Sequence, residues 1–228
     1  MYYITLSWDD GFTRSVNKIA EIYERYGLRA EFNVVITFHE HDPQTFGDFG
    51  LWNALQARGH IIQPHGYDHS NLAKMPLAQA QENILRCLEV FQRSLDGFDA
   101  RRTVFNFPYN VSTPDLDAWL PQVVRAFRIA GGTFMPLPTR HTNRLTSPAS
   151  EDAEPMLDQC LEALLAQPEG WLLYTVHGLD GEGWGPLRSA YVEGLLERLL
   201  LRDDVRVLPT QAVLDTAVEL AGNEWENE

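Results

Sequence analysis

The sequence predicts an α/β fold, a closed or nearly closed (β/α) barrel with about seven parallel strands. Short β-branched and aromatic runs alternate with longer segments whose apolar residues recur at helical spacing, a pattern typical of strand–helix units around a parallel sheet. The 228 residues, 44% of them hydrophobic, are enough for a full core, and no change of composition marks a boundary. We therefore expect one domain over residues 1–228. A doubly wound open sheet is the alternative, since periodicity does not show closure.

The strands are predicted from short aromatic or β-branched runs that end at polar or turn-forming residues. The first run, Tyr-Tyr-Ile-Thr-Leu, leads directly into two aspartates and a glycine. The seven predicted strands, in order, are residues 2–6, 30–36, 60–65, 103–108, 123–130, 171–177 and 205–208.

The helices are predicted from the 3.6-residue period and from residues that begin or end helices. Gly27, Gly59 and Gly97 stand where three of the helices should end, Pro114 opens a short one, and Thr210 caps the last. The segments before Thr210, in order, are residues 15–26, 48–58, 77–95, 113–120, 154–167 and 187–202. Residues 131–150 show no period and contain several Gly and Pro, so we expect a long loop there, and a frayed tail over 222–228.

Charge and composition exclude several classes of partner. The net charge of −14 argues against nucleic acid and against an anionic membrane surface. No stretch approaches the ~20 apolar residues of a membrane span, and no basic leader segment is visible. Cys87 and Cys160 lack metal or redox spacing, which favours buried thiols over a disulfide. Together these features predict a cytoplasmic protein.

The first candidate site is Asp9-Asp10-Gly11 at the end of the first strand. Asp-Gly after a strand is also a hairpin signal, but the helical pattern that begins at Ser15 favours a strand, an acidic turn and a helix. The second is His65 and His69, which follow the third strand. Two histidines and a carboxylate form a common open zinc site. The alternative is a chance pair of loop histidines, since the chain has seven.

Further candidates follow other strands. His39 and His41 form a competing pair after the second strand, interpreted mainly as solvated loop residues. Tyr109 follows the fourth strand and His177 the sixth, although proline termination and a lone core histidine explain each by itself. The carboxyl ends of barrel strands lie on one face, where active sites are built. The acidic pair, His65, Tyr109 and His177 are therefore expected on one rim.

The set of motifs resembles the NodB-homology polysaccharide deacetylases, also called carbohydrate esterase family 4. Ser-Trp-Asp-Asp-Gly at 7–11 is similar to their Thr-Phe-Asp-Asp-Gly motif, and His65-x-x-x-His69 resembles their second motif. Phe-Asn-Phe-Pro-Tyr-Asn at 105–110 resembles a variant of the third, and the segment from His177 to Trp184 the fifth. The similarity covers almost the whole chain in the family's order. The family fold, a distorted barrel of about seven strands, agrees with the strand prediction.

The resemblance implies roles for the matching residues. Asp10, His65 and His69 would bind one divalent metal, with zinc expected. Asp9 would be the general base and His177 the general acid. The backbone N–H of Tyr109 would help to hold the oxyanion, Thr175 stands where the family has an acyl-pocket leucine, and Trp184 and the 131–150 loop are candidates for substrate contact.

The sequence departs from the family in two motifs. Asn106 stands where the third motif often carries an arginine that steadies the base. The fourth motif, an Asp-x-x-Asp-Trp run, is absent, because Asp117-Ala118-Trp119 comes too early and is predicted as helix. We therefore expect Asp9 to lack a cationic partner and to titrate higher than it would beside an arginine, unless Arg102 or Arg128 supplies the charge from another strand.

The resemblance implies a metal-dependent hydrolase that removes an N-acyl group, such as acetyl, from an amino sugar, a soluble glycan or a similar small amide. The alternative is a catalytically silent glycan-binding relative, which the altered third and fourth motifs would permit. The expected partner is a carbohydrate or small-molecule substrate, and no oligomeric state is predicted.

Overall fold

The computed structural model describes residues 1–37 and 46–223, with side chains described as far as Ala217. Within this part of the chain, parallel strands alternate with helices, as predicted. The eight strands, in order, are β1 (Tyr2–Asp10), β2 (Glu31–Val34), β3 (Ile61–Pro64), β4 (Val104–Asn106), β5 (Ala126–Ala130), β6 (Arg144–Ser147), β7 (Gly170–Val176) and β8 (Val205–Val207). The α/β fold class is confirmed.

The strands form two parallel sheets. The five-stranded sheet runs β3-β2-β1-β7, and β8 also pairs with β1. The long strand β1 pairs with two strands along the same edge. Its first residues pair with β8, and its last residues, Ser7 to Asp10, pair with β2. The three-stranded sheet runs β4-β5-β6. Strand β1 is therefore the centre of the larger sheet and carries its acidic end to the rim.

Two seams join the sheets into a barrel. At the seam between β3 and β4, the Val104 amide donates to Gln63 Oε1 at 2.9 Å, and His65 Nδ1 donates to the Asn106 carbonyl at 2.9 Å. At the seam between β6 and β7, the Thr175 amide donates to the Pro148 carbonyl at 3.1 Å. Side chains and isolated bonds, not a continuous ladder, thus bring the two sheets together.

Seven α-helices of the described chain cover the outside of the sheets. Apolar stripes bury them against the strands, and short polar side chains begin two of them, since Asp48 accepts from the Leu51 amide and Thr113 from the Leu116 amide. Their bounds are α1 (Thr13–Arg25), α2 (Phe49–Ala57), α3 (Leu77–Ser94), α4 (Pro114–Trp119), α5 (Ala153–Leu165), α6 (Ser189–Leu200) and α7 (Thr210–Asn223). None of the described helices is long and apolar enough to cross a bilayer. Cys87 and Cys160 are buried free thiols, as predicted.

Two sequence predictions need correction. The 131–150 segment is not loop throughout, because Arg144–Ser147 forms β6 beside β5. Its four residues, with Gly and Pro on both sides, are too few to show a period. The frayed tail predicted over 222–228 is helical at its first two residues, since α7 continues to Asn223; residues 224–228 lie outside the described chain.

The interior of the barrel contains a cluster of buried polar side chains in addition to its apolar core. The members are each at most 1% exposed: Ser7, Glu31, Asn33, Gln63, Asn106 and Arg128. Buried polar groups are costly unless they are hydrogen-bonded to each other. This polar cluster lies directly beneath the acidic end of β1 and supports the site described next.

Candidate active site

Asp10, His65 and His69 lie together, as the sequence predicts. The Nε2 atoms of His65 and His69 are each 3.5 Å from Asp10 Oδ1, and one ligand atom from each residue lies within 4.8 Å of the others. His65 Nδ1 donates to the Asn106 carbonyl, so Nε2 is the nitrogen that faces the cluster. Burial lowers the pKa of His65 to about 3, although the negative charge of Asp9 acts in the opposite direction. The imidazole is therefore neutral, as a metal ligand must be.

The donor set fits a divalent cation. Asp10 Oδ1 is buried and has no hydrogen-bond partner among the described residues. Burial, and then the charge of Asp9, raise the pKa of Asp10 to about 8. A buried carboxylate that lacks a nearby cation is unfavourable. A cation held between this oxygen and two imidazoles would supply the missing charge, and two histidines with one carboxylate form a set typical of zinc.

Several residues of the site have an uncommon backbone conformation, which sets the direction of their side chains. Asp10, His69, Tyr109 and Asn110 all have positive φ, between 54° and 75°. This region is uncommon for residues other than glycine, and such strain concentrates at functional sites. Asp9 and Asp10 can therefore point differently although they are adjacent, because the chain turns sharply at Asp10.

Asp9 has a cationic partner, which corrects the expectation drawn from Asn106. Arg128 on β5 donates from Nη1 to Asp9 Oδ1 at 2.9 Å and from Nη2 to Oδ2 at 2.6 Å. Arg128 is fully buried and sits beside Asn106 in the register of β4 and β5. The arginine expected at position 106 is thus supplied by the next strand. Arg102, the other candidate, instead lies 3.7 Å from the exposed carboxylate of Asp215.

The electrostatics of Asp9 follow from these contacts. Burial by itself would raise the pKa of Asp9, but the Arg128 charge and the hydrogen bonds from Arg128 hold it well below its usual range. Asn33 also donates to Asp9 Oδ1, at 2.7 Å. Asn106 is one step further away, since its amide donates to Asn33 Oδ1 at 2.8 Å. Asp9 is therefore an ionised carboxylate held in one orientation, although it is only 2% exposed.

His177 follows β7 and faces the same cavity. Burial lowers its pKa, which the Asp9 charge partly offsets. The Trp184 ring stands perpendicular to the imidazole, with the ring centroids 5.4 Å apart. Gly183 closes the turn between them with φ of +79°, and a Cβ there would lie 3.0 Å from His177 Cβ and 2.8 Å from the Phe12 ring. A side chain at 183 would therefore displace His177.

The loop after His177 is fastened to the beginning of α1. Glu182 Oε2 accepts from the Ser15 amide at 2.9 Å and from the Ser15 hydroxyl at 2.5 Å. The Leu179 amide donates to that hydroxyl at 2.9 Å. Because α1 directly follows the acidic turn, the loop that carries His177 and Trp184 is tied to the segment that carries Asp9.

These residues surround one cavity of about 750 Å³. Tyr109 and Trp184, 59% and 49% exposed, stand at its rim, and the Tyr109 ring packs on His69 with centroids 4.8 Å apart. Ser147 lines the wall, while Thr175 stands behind it, with the two hydroxyls 2.7 Å apart. The lining residues are Asp9, Asp10, His65, His69, Tyr109, Asn110, Ala130, Gly131, Gly132, Ser147, Pro148, Ala149, His177 and Trp184.

Some site residues were not found from the sequence. Asn33 carried no recognised motif, Ser147 to Ala149 were included only within the 131–150 segment expected to contact substrate, and Arg128 was only one of two candidate cations. A signal existed for Arg128, because it is a charge in the middle of the apolar run Ala-Phe-Arg-Ile-Ala. His39 and His41 lie outside the described residues.

Comparisons with known proteins agree with this architecture. The chain superposes on the Xyl-CE4 domain of a multidomain xylanase from the hindgut metagenome of Trinervitermes trinervoides with a TM-score of 0.62 and 15% identity, covering 94% of this chain and 90% of that one. A family 4 acetyl xylan esterase from Clostridium thermocellum, in complex with a cobalt ion, gives 0.62 and 16%, covering 94% and 91%. The allantoinase Puue gives 0.71 and 12%, covering 94% and 89%. At such identities the likeness shows the fold.

No curated protein matches the sequence. A family model described as "Polysaccharide deacetylase" matches residues 2–133, more than half of the 228 residues. The matched segment contains the acidic turn, both histidines of the cluster, Arg128 and Tyr109. The chain therefore belongs to the polysaccharide deacetylase family.

Proposed function

We propose that this protein is a metal-dependent hydrolase that removes an N-acyl group, such as acetyl, from an amino sugar, a soluble glycan or a similar small amide. One observation carries the proposal: a two-histidine, one-carboxylate cluster opens into a cavity beside a buried, arginine-paired carboxylate and a histidine. Membership of the polysaccharide deacetylase family indicates a deacetylase type of hydrolase.

Asp10, His65 and His69 would hold the metal, with zinc expected. When bound, a divalent cation supplies Lewis acidity, which acidifies water and polarises an acyl carbonyl. The three residues leave coordination positions open on the cavity side, since one carboxylate and two imidazoles do not complete a zinc shell.

Asp9 would act as the general base. Its carboxylate is ionised and fixed by Arg128, so it can accept a proton from the attacking water. As the water oxygen bonds to the acyl carbon, the carbonyl oxygen gains charge, and the backbone N–H of Tyr109 would donate to it. The C–N bond then breaks as a protonated His177 would deliver its proton to the leaving nitrogen, because an amine leaves poorly without one. The proton taken up by Asp9 would then return to His177 through water in the cavity.

The rim suits a ring-shaped substrate. Trp184 and Tyr109 offer aromatic faces on which a sugar ring can lie. Thr175 would shape the acyl end of the cavity indirectly, through the Ser147 hydroxyl in front of it. The net charge of −14 still argues against nucleic acid as a partner. The cytoplasm stays our prediction for its location.

The test is amine release coupled to elemental analysis. The purified protein is analysed for metal, then assayed on N-acetylglucosamine, its β-1,4-linked oligomers and other N-acetylated sugars before and after chelation. We expect about one zinc per chain, as in an open catalytic site with three protein ligands, and amine release that chelation abolishes and zinc restores. A metal-loaded protein that binds these sugars without releasing amine would favour the silent glycan-binding alternative.

A further inference from the structure

The hydroxyl of Ser7 is the meeting point of the polar cluster beneath Asp9. Ser7 lies two residues before Asp9 on β1 and is fully buried. Its Oγ is 2.9 Å from Arg128 Nη1, 2.7 Å from Asn33 Nδ2 and 2.8 Å from Glu31 Oε1. Guanidinium and amide nitrogens only donate hydrogen bonds. The single hydroxyl proton must therefore go to Glu31, and both lone pairs of Ser7 receive the other two groups.

Arg128 Nη1 and Asn33 Nδ2 each donate two hydrogen bonds, and both nitrogens have the same two acceptors. One proton of each nitrogen goes to Ser7, and the other goes to Asp9 Oδ1, at 2.9 Å and 2.7 Å respectively. The Ser7 oxygen thus helps to fix the rotation of both planar groups about the Asp9 carboxylate, together with the Arg128 Nη2 bond to Asp9 Oδ2 and the Asn106 bond to Asn33 Oδ1. Without the Ser7 hydroxyl, each nitrogen would keep its bond to Asp9 and lose one of the bonds that set its orientation.

Glu31 holds the Ser7 hydroxyl in place. Its buried carboxylate accepts from the Thr210 amide at 2.5 Å and from Gln63 Nε2 at 3.2 Å, and the Thr210 hydroxyl lies 2.8 Å from Oε1. The Gln63 amide has a fixed orientation, because its oxygen accepts from the Val104 amide. Glu31 is thus held by the first residue of α7 and by β3, two elements that do not touch substrate.

We propose that Ser7 and Glu31 are positioning residues for the base, and that the buried series Thr210–Glu31–Ser7–Arg128 sets the orientation of the Asp9 carboxylate. This inference rests on the proposed function, in which Asp9 takes the proton of the attacking water. It assigns to the interior of the barrel a part in the reaction, although none of Thr210, Glu31 and Ser7 lines the cavity.

Three variants of β1 test the proposal. Ser7→Val removes the hydroxyl, and Ser7→Thr restores it with nearly the same shape as valine. Thr5→Val is the matched control, since Thr5 is also buried, lies on the same face of β1, and bonds to the Leu208 carbonyl at 2.7 Å and to Trp171 Nε1 at 3.1 Å, away from Asp9. Each variant is checked for folding by circular dichroism and for metal content, and kcat and KM are measured separately.

We expect Ser7→Val to lower kcat about tenfold to hundredfold, the effect of a small misplacement of a reacting group, with metal content and KM unchanged. Ser7→Thr should recover most of that loss, and Thr5→Val should keep the wild-type kcat. Equal kcat values for Ser7→Val and Ser7→Thr, in folded and metal-loaded proteins, would overturn the proposal.

If Ser7→Val does not fold, the far end of the series is tested with Thr210→Val against Thr210→Ser. A lower kcat in the valine variant supports the proposal, and equal values overturn it. The outcome is separable from that of the proposed function. If the wild-type protein releases amine from no substrate, the result counts against the proposed function. If the wild type is active and the Ser7 and Thr210 variants keep its kcat, the result counts against this inference alone.

Discussion

The two sheets of the barrel contribute different parts of the site. The five-stranded sheet ends in Asp9 and Asp10 on β1, in His65 after β3 and in His177 after β7. The three-stranded sheet brings Arg128 beneath them. The comparison separates two tasks: one sheet carries the candidate metal ligands, the base and the acid, and the other supplies the charge that fixes the base. Substitutions in the five-stranded sheet should therefore affect metal binding or turnover, whereas substitutions in the three-stranded sheet should affect stability and pH dependence.

The largest effect is expected on the five-stranded side. Asp10→Ala removes the only carboxylate of the described cluster, so metal binding and amine release should be lost together. Elemental analysis after gel filtration measures the first and the amine assay the second. If the variant binds metal stoichiometrically and as tightly as the wild type, Asp10 is not a ligand.

Asp9 and His177 border the same cavity but should not hold the metal. Asp9→Asn and His177→Ala should each lower kcat by ~10²–10⁴-fold, the usual cost of losing a general base or acid, with metal content retained. Loss of metal in Asp9→Asn would place Asp9 with the metal ligands and would contradict its assignment as the base.

On the three-stranded side, Arg128→Met should act on stability and on the base at once. It leaves the buried Asp9 charge unpaired, which typically costs about 3–5 kcal/mol of unfolding free energy. Urea unfolding of the metal-loaded protein measures this loss. The control is Arg102→Met, whose exposed ion pair with Asp215 is worth little; a similar loss there would remove the special role of Arg128.

The same variant changes the pH dependence in a defined direction. Arg128 lowers the pKa of Asp9, so its removal raises that pKa. The base works only when ionised, and activity disappears as the pH falls through its pKa. The acidic limb of kcat/KM should therefore move to higher pH in Arg128→Met. An unmoved limb would mean that another group sets the charge of Asp9.

An exchange between strands sharpens the comparison further. Asn106 and Arg128 are register partners on β4 and β5. Arg128→Asn should lose activity, and adding Asn106→Arg should recover part of it, since the guanidinium then comes from the strand that carries it in the family motif. A double variant no more active than Arg128→Asn would show that the β5 position itself is required.

The smallest effect is expected at the rim. Trp184→Ala should raise KM about two- to tenfold for a sugar substrate, the loss of one aromatic contact, and Trp184→Phe should recover part of it. Steady-state kinetics separate KM from kcat. A fall in kcat alone would instead assign Trp184 to the support of His177, whose ring it contacts.

Some parts of the site could be predicted from local sequence patterns, and others depend on how the strands pair. The proximity of Asp10, His65 and His69 could be predicted because each lies at or shortly after the end of a strand, and strand ends share one rim. The partner of Asp9 was left open, because the choice between Arg102 and Arg128 depends on which strands pair and in which register. Strand β6 was missed because four residues show no period. Long-range pairing, which a local pattern does not contain, accounts for both.

The seam between the sheets also bears on how the chain folds. Asp9 and Arg128 are separated by 119 residues, and no ladder joins β3 to β4 among the described strands. Before the sheets dock, the carboxylate and the guanidinium are both hydrated, and docking strips water from both at once, a costly step until the pair has closed. Contacts so distant along the chain form slowly. Docking of the two sheets therefore carries a desolvation cost at this ion pair, and the base acquires its orientation only when the sheets have met.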